Sequence, residues 1–558
     1  MSASAATRLS PDGPDDPDGP DGPDGQAPRL VPDGSAWDAV VVGAGAAGLT
    51  AAWELSRAGA RTLLVEAGPE VGGLVRAGTV AGVRVDLGAE SLALRGESVA
   101  QAVAELGLEL VGPAGGRSCL VLPDPGTQGS SWRAHPFPRD SYLGIPADPL
   151  AQDVVSVIGL DAALRASRDA ELPAGLGTGP QDPADLGSLV RARMGSGVLE
   201  RLVDPIVTGI HGSPASVLAA QAVAPGLREA TARLGSLQAA VAEVVAGRSR
   251  RAGGAAALVP RGGLFRLTEE LRRAVEASGG RVATGTVVRG LRRERPGGGD
   301  GAWSVGLAPA APGDAPLGTV RCGAVVLACP MAEALRLLGG LDGAVDVAGI
   351  EATAGARVTR LIVVARAAGL DSAPLGPGAL VADGSAPAGE GGGTRVTALT
   401  HLSVKWPWIA QELREAHGEH VHALRLSYGR AGAVGRPEAA VAGTRHAGPA
   451  PEAGRERGET SGEPVGLPRA LADVELLTGV RIASSEVIDS TLVTWQGRPP
   501  PATPERRERL ARLESEARAV PGLAVTGEWV AGTGISSVIT HARKRAATLT
   551  GAPGAPVG

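Results

Sequence analysis

The sequence predicts an α/β fold in which one domain is assembled from three separated stretches of chain and the intervening segments build a second lobe. Three observations predict it. A strand, a glycine turn, a helix and a second strand succeed one another between residues 39 and 65. Short, wholly apolar strands return near residues 324 and 523. Between them lie stretches of different texture, one helical and one alternating.

Ala39-Val-Val-Val42 reads as a strand, Gly43 to Gly59 as turn and helix, and Thr62-Leu-Leu-Val65 as the next strand, a compact βαβ unit. The second stretch carries an amphipathic helix, Leu264 to Ala277, a strand over Arg281 to Leu291 and the apolar Ala324-Val-Val-Leu-Ala328. The third is the strand Leu523-Ala-Val-Thr526 with a helix beginning near Ser536. Short apolar strands beside helices suit a parallel sheet buried on both faces. Residues 97 to 254 read mostly helical, for example Val99 to Leu106 and Leu237 to Val245. Residues 335 to 515 hold alternating runs such as Arg357 to Val364 and His422 to Tyr428, the pattern of a mixed lobe that meets the first domain across a cleft. The expected boundaries are 1–36, an acidic Pro/Asp/Gly tail without the apolar content to order itself; 37–96, 255–334 and 516–552, the discontinuous domain; and 97–254 and 335–515, the lobes, with low-complexity insertions at 384–394 and 431–467.

Composition excludes several classes of function. A formal net charge of -5 over 558 residues offers no basic footprint for a nucleic acid. Lysine occurs only at Lys405 and Lys544, so arginine supplies most of the positive charge. Cys119, Cys322 and Cys329 form no CxxC pair and have no histidines at zinc-ligand spacing, so they read as packing residues in a reducing compartment, and no metal is expected. The amino terminus shows no apolar leader and no long uncharged apolar run comes after it, so the expectation is a cytoplasmic protein with a small-molecule partner.

Gly43-Ala44-Gly45-Ala46-Ala47-Gly48 follows an apolar strand and opens a helix, the setting a dinucleotide fingerprint requires. Gly43 permits the tight turn, Gly45 lets backbone approach a pyrophosphate, and Gly48 allows close helix packing. Glu66, ending the next strand, can accept from both ribose hydroxyls and would repel a 2′-phosphate.

Directly after Glu66 the chain reads Ala67-Gly-Pro-Glu-Val-Gly72-Gly73-Leu74-Val-Arg76. With Asp86-Leu87-Gly88-Ala89-Glu90 and the late Gly532-Thr533-Gly534-Ile535 before an Ala/Arg helix, this run resembles the flavin amine oxidase superfamily. In that superfamily the chain near residues 72 to 76 passes the FAD diphosphate, the 87 to 90 segment lies against the isoalloxazine, and the last helix points its positive end at the pyrimidine ring. The middle of the chain resembles the protoporphyrinogen/coproporphyrinogen oxidases. It carries Asp204-Pro-Ile-Val-Thr-Gly209, Leu234-Gly-Ser-Leu237, Pro260-Arg-Gly-Gly-Leu264, Val288-Arg-Gly-Leu291, Lys405-Trp-Pro-Trp408, Leu426-Ser-Tyr-Gly429 and Val493-Thr-Trp495 in the family's order. Departures stand at Glu90, where some members have Arg, at His211, at Pro500-Pro-Ala502 and at His541-Ala-Arg543.

The resemblance implies a discontinuous Rossmann-type FAD-binding domain with a mixed α+β substrate-binding lobe and a helical subdomain. It implies cofactor contacts at Gly43 to Gly48, Glu66, Ala67, Gly73, Leu74, Arg76, Leu87, Gly88, Ala89, Glu90, Val288, Trp495, Thr533, Gly534 and Ile535. The implied reaction is oxidation of coproporphyrinogen III to coproporphyrin III, six electrons leaving in three rounds through FAD to oxygen with hydrogen peroxide formed. The flavin carries that chemistry, so no catalytic side chain is expected. Arg95 is the candidate partner for a substrate propionate. Protoporphyrinogen IX oxidation, amine oxidation or desaturation on the same fold, and a non-catalytic FAD-binding scaffold stay open as alternatives, as do a homodimer and a peripheral membrane contact.

Overall fold

The computed structural model describes residues 34–94, 97–124, 131–250, 257–294, 303–310, 318–341, 343–352, 357–382, 396–429, 465–496, 504–532 and 534–550. The acidic tail, the 384–394 insertion and nearly all of the 431–467 insertion lie outside them, as do Arg95, Thr533 and Pro500 to Ala502.

The chain begins with strand β1 (Ala36–Val42), helix α1 (Ala46–Arg57) and strand β2 (Thr62–Val65), then a hairpin of β3 (Ala77–Val80) and β4 (Val83–Asp86). Helix α2 (Glu97–Glu105) and strands β5 (Cys119–Pro123) and β6 (Trp132–Pro136) precede a run of helices extending to Arg250. Helix α3 (Phe265–Ala277) leads to β7 (Arg281–Ala283), β8 (Thr286–Arg293), β9 (Trp303–Pro309) and β10 (Gly318–Leu327). The second lobe contributes β11 (Arg357–Arg366), β12 (Gly378–Val381), β13 (Val396–His401), β14 (Val421–Tyr428) and β15 (Val487–Gln496). Strand β16 (Leu523–Val525) and helix α4 (Ile535–Thr550) return to the first domain.

The first sheet runs β7-β2-β1-β10-β9-β8, with β16 pairing the far half of β10. In its parallel core Val40 lies between Leu63 and Val325, and Val41 between Leu64 and Val326. Alternation sends Val41, Leu64, Val326 and Ala524 toward α1, α3 and α4, and Val40, Leu63, Val325 and Leu523 toward the opposite face. Both faces are therefore covered, which is why these strands read as unbroken apolar runs. The apolar strands pair in parallel as expected, and one edge of the sheet departs from that order. Gly285, at φ +63°, breaks the expected 281–291 strand in two. β7 joins β2 in parallel, whereas β8 turns back as an antiparallel hairpin with β9.

The second sheet runs β15-β11-β14-β13-β12-β5-β6. Here too an expectation needs correcting, because residues 119 to 136, read as part of a helical stretch, supply its last two strands. β5 pairs β12 in parallel through Leu120↔Leu380 and Val121↔Val381. The helices after it close over Leu120, Leu122 and Ala382 to form a core of their own. Ile362, Val364, Val421 and Ala423 share one sheet face with Leu402 and Trp406 and pack toward the first domain. Leu361, Val363, Leu424 and Leu426 face the Leu467–Thr478 helix.

Candidate functional site

The fingerprint turn forms because its glycines fit where no side chain would. A Cβ on Gly43, at φ +98°, would lie 2.9 Å from the Ala328 carbonyl oxygen, and one on Gly48 would lie 1.8 Å from the Gly43 oxygen. Gly45 differs. A Cβ there meets no atom within 4 Å, and one on Gly73 finds only the Gly45 Cα, at 3.5 Å. Gly45 bridges Gly72 in parallel, and Gly72 N–H donates to the Ala44 carbonyl at 2.7 Å. Two glycine turns from different segments thus border one open space at the head of α1, whose first N–H groups point at it. Ala44 and Ala47 are buried beside them while Ala46 is partly exposed.

Glu66 ends β2 beside this space. Its Oε2 accepts from Ala44 N–H and its Oε1 from Gly68 N–H, both at 2.7 Å. These bonds aim the carboxylate and leave lone pairs for hydroxyl donors. Ala67 next to it is exposed. The turn between β7 and β8 closes over the same point, with Gly285 N–H donating to the Gly68 carbonyl and Thr286 N–H to that of Glu66. Val288 is buried at the start of β8, and its carbonyl accepts from Arg336 at 2.8 Å.

From Gly73 the open edge continues along the chain. Leu74 and Arg76 are partly exposed, and their carbonyls accept from Ala89 N–H at 2.8 Å and Leu87 N–H at 3.2 Å. Gly88 is required at that crossing, since a Cβ would lie 2.0 Å from the Leu74 oxygen. Trp495 reaches the region from β15, and the Arg360 guanidinium lies 4.9 Å from its ring centroid while donating to the Leu87 carbonyl at 3.3 Å. Gly534 and Ile535 open α4, and a Cβ on Gly534 again meets nothing within 4 Å.

Glu90, a departure from the family that the resemblance also implies as a cofactor contact, is 6% exposed and collects three donors. Trp406 Nε1 donates to its Oε1 at 2.8 Å, Lys405 Nζ lies 2.9 Å from the same oxygen, and Arg425 Nη2 pairs with Oε2. Asp86, also buried, accepts from Leu264 and Phe265 N–H at the head of α3 at 2.9 and 2.8 Å, and burial pushes its carboxyl up to about 6. Burial brings Lys405 down to about 8 and Arg425 down to about 10. Sequence reasoning passed over Asp86, Arg360 and Arg425. Charged residues scattered within or at the end of strands carry no periodic signal that would have set these apart.

The departure at His541-Ala-Arg543 acquires a role. His541 accepts or donates between Thr526 Oγ1 and Glu514 Oε1, at 2.9 and 2.8 Å. Arg543 bonds Glu54 at 2.7 Å, Glu105 at 3.1 Å and the Ser98 carbonyl at 2.9 Å, seating α4 on α1 and α2. Burial pushes the Cys322 and Cys329 thiols up to about 12, so both stay protonated packing groups. Among the described residues no group of three or more His, Cys, Asp or Glu could hold a metal ion, and no helix is long and apolar enough to cross a membrane.

Comparison with known proteins agrees with this geometry. The family model for flavin containing amine oxidoreductases matches residues 46–341. A coproporphyrinogen III oxidase from Propionibacterium freudenreichii subsp. freudenreichii is 32% identical over 222 residues, 39% of this chain and 40% of that protein. One from Bacillus subtilis (strain 168) is 30% identical over 194 residues, 33% of this chain and 39% of that protein. The match thus spans about two fifths of the curated relatives' length. Among solved structures, a putative protoporphyrinogen oxidase from Exiguobacterium sp. 255-15 superposes with a TM-score of 0.67 at 20% identity, covering 93% of this chain and 99% of that one. FAD is the cofactor typical of this superfamily, and the residues present fit it: a glycine cradle that a Cβ would fill, a helix amino terminus for a diphosphate and a carboxylate just past the end of β2 for ribose hydroxyls. The family model spans more than half of the chain, and the chain belongs to the flavin containing amine oxidoreductase family.

Proposed function

We propose that this protein is an FAD-dependent oxidase of a porphyrinogen-type tetrapyrrole, with coproporphyrinogen III as substrate, oxygen as final acceptor and hydrogen peroxide as by-product. The observation that carries the reading is the match to coproporphyrinogen III oxidases, 32% identical over 222 residues in one and 30% over 194 in another. Bound FAD would supply the two-electron acceptor. The chain's own part is to hold it and to shape what reaches it. Gly43 to Gly48 with Gly73 would seat the diphosphate, Glu66 the ribose, Val288 the adenine, and Leu87 to Glu90 with Trp495, Gly534 and Ile535 the ring. The neighbouring 74–76 strip keeps its partly exposed edge toward the same space.

Substrate carboxylates call for cationic partners, a role we assign to Arg95, five residues after Glu90 in the sequence. Replacing it with alanine should raise KM for a tetracarboxylate substrate several-fold and leave FAD content unchanged. An unaltered KM would withdraw the assignment.

A second reading, protoporphyrinogen IX oxidation, is favoured by the fold likeness to the Exiguobacterium protein. Anaerobic mixing of the purified holoprotein with coproporphyrinogen III, protoporphyrinogen IX and a panel of primary amines separates these readings. Bleaching of the flavin by coproporphyrinogen III, fastest of the three, supports the proposal. Faster bleaching by protoporphyrinogen IX transfers it to the second reading. Bleaching by amines alone overturns both, and bleaching by none leaves an FAD-binding scaffold.

A further inference from the structure

Around Glu90, a residue already assigned to the cofactor, the described residues gather further buried and partly buried charges to which the proposed reaction gives no role. The cluster contains three cations, Arg360, Lys405 and Arg425, against two carboxylates, Asp86 and Glu90. All arrive on elements that have other structural work. Asp86 ends β4, Glu90 follows it by four residues, Lys405 ends the short helix after β13, Arg425 sits mid-strand in β14 and Arg360 in β11. Register places Arg425 opposite Ile362, on the sheet face that packs toward the first domain.

The cluster connects to the cofactor cradle by an unbroken series of backbone contacts. Gly45 bridges Gly72; the Leu74 and Arg76 carbonyls just beyond accept from Ala89 and Leu87; Glu90 is the next residue. On the proposed reading Glu66 would hold the ribose, the Gly45 turn the diphosphate, and residues 87 to 90 the far end of the dinucleotide. Two of the guanidinium nitrogens of Arg425, Nε and Nη1, are buried without a hydrogen-bond partner, so its charge is incompletely neutralised by Glu90. In a site shielded from water such charges act over longer distances than at a surface.

We propose that Lys405 and Glu90 are positioning residues of opposite sign that set the electrostatic potential at the Leu87–Ala89 segment, Lys405 raising and Glu90 lowering the two-electron midpoint potential of bound FAD. The inference rests on FAD lying along this edge and is independent of which substrate is oxidised. Reduction by two electrons and one proton leaves the ring with one negative charge. A nearby cation therefore favours reduction and a carboxylate opposes it. Glu90 has a second effect through geometry, because its bonds to Trp406, Lys405 and Arg425 hold the segment against the second lobe.

The test is a spectroelectrochemical titration of the holoprotein and of K405M, K405R and E90Q at neutral pH. We expect the midpoint to fall in K405M, to stay near the wild-type value in K405R and to rise in E90Q. A purely structural role would give shifts of one sign, or equal shifts in K405M and K405R, and either result overturns the proposal, as do unmoved potentials in K405M and E90Q. If E90Q fails to retain FAD, the contrast between K405M and K405R decides. A wild-type protein that purifies without FAD and cannot be reconstituted would sink the cofactor reading itself, an outcome distinct from FAD-loaded variants whose potentials do not move.

Discussion

Gly45 and Gly72 pair across a single parallel bridge, which brings two turns 27 residues apart in sequence to the edge of one open space. The neighbouring glycines of the fingerprint answer to different constraints. Gly45 has an ordinary φ of -73° and open space at its Cβ, whereas Gly48 has a backbone oxygen 1.8 Å from where a Cβ would be.

Substitution should separate the two. Gly45→Val should fold with a melting temperature close to wild type and yet purify without flavin absorbance, because the new side chain occupies ligand space alone. Gly48→Val should reduce the soluble yield or lower Tm sharply, since helix α1 must move away from the turn. A Gly45→Val protein that is yellow would show that the diphosphate lies elsewhere.

A second prediction concerns the helical subdomain. Arg193 and Asp169 have fully buried side chains, with Arg193 Nε 2.5 Å from Asp169 Oδ1, and Asp169 Oδ2 also accepts from Ser236 Oγ and Gln238 N–H at 2.7 Å. Arg193 further donates to the Pro173 carbonyl at 2.8 Å. Arg193→Met would strand the carboxylate, which costs about 3–5 kcal/mol when one partner of a buried pair is lost. Urea denaturation should show that loss, and a change under about 1 kcal/mol would contradict it.

Arg543 supplies the third. It is 12% exposed and joins α4 to Glu54 and Glu105, so Arg543→Leu should destabilise the domain by about 1–3 kcal/mol. It should also weaken FAD retention, because Gly534 and Ile535 begin the same helix. Equilibrium dialysis of bound flavin would check the second effect, and unchanged retention would confine Arg543 to stability.

The fourth is a pH dependence of two opposing parts. His401 Nε2 is 3.0 Å from His422 Nδ1, and burial, aided by His422, pushes His401 down to about 3. The folded chain then binds fewer protons than the unfolded one between about pH 3 and 6.5, so this contribution is complete above about 6.5 and lost as pH falls. Asp86 acts in reverse. Its carboxyl, raised to about 6 by burial, makes the folded chain bind more protons between about pH 4 and 6, so its contribution is lost as pH rises through that window. Between about pH 6.5 and 5 the fall of Tm with acid should be shallower in His401→Leu than in wild type and steeper in Asp86→Asn. Parallel slopes in all three proteins would refute the assignment.

Which parts were legible in the sequence depends on how local their causes are. The cradle was, because strand, turn, helix and carboxylate lie within about 30 residues and each glycine has its own steric reason. The paired strands at 119–136 were not. Cys119–Pro123 is five residues long, and its partner Gly378–Val381 lies more than 250 residues away, so nothing nearby announces it. The Glu90 cluster was invisible for the same reason, since Glu90 meets Lys405 and Arg425 only through the packing of two sheets. Lys405, one of only two lysines in the sequence, has a side chain 19% exposed that reaches inward to Glu90.

The register of the first sheet has a consequence for biosynthesis. β1 and β2 are complete once residue 65 has left the ribosome, but the other neighbour of β1 is β10, whose paired residues begin at Arg321, and β10 in turn waits for Leu523. At about 5–20 residues per second the nascent βαβ unit spends more than ten seconds with an open apolar edge. Contacts this distant in sequence make folding slow, and they expose Val40 and Val41 to wrong partners meanwhile. Growth temperature and chaperone supply should therefore govern the yield of this protein more than its final stability does.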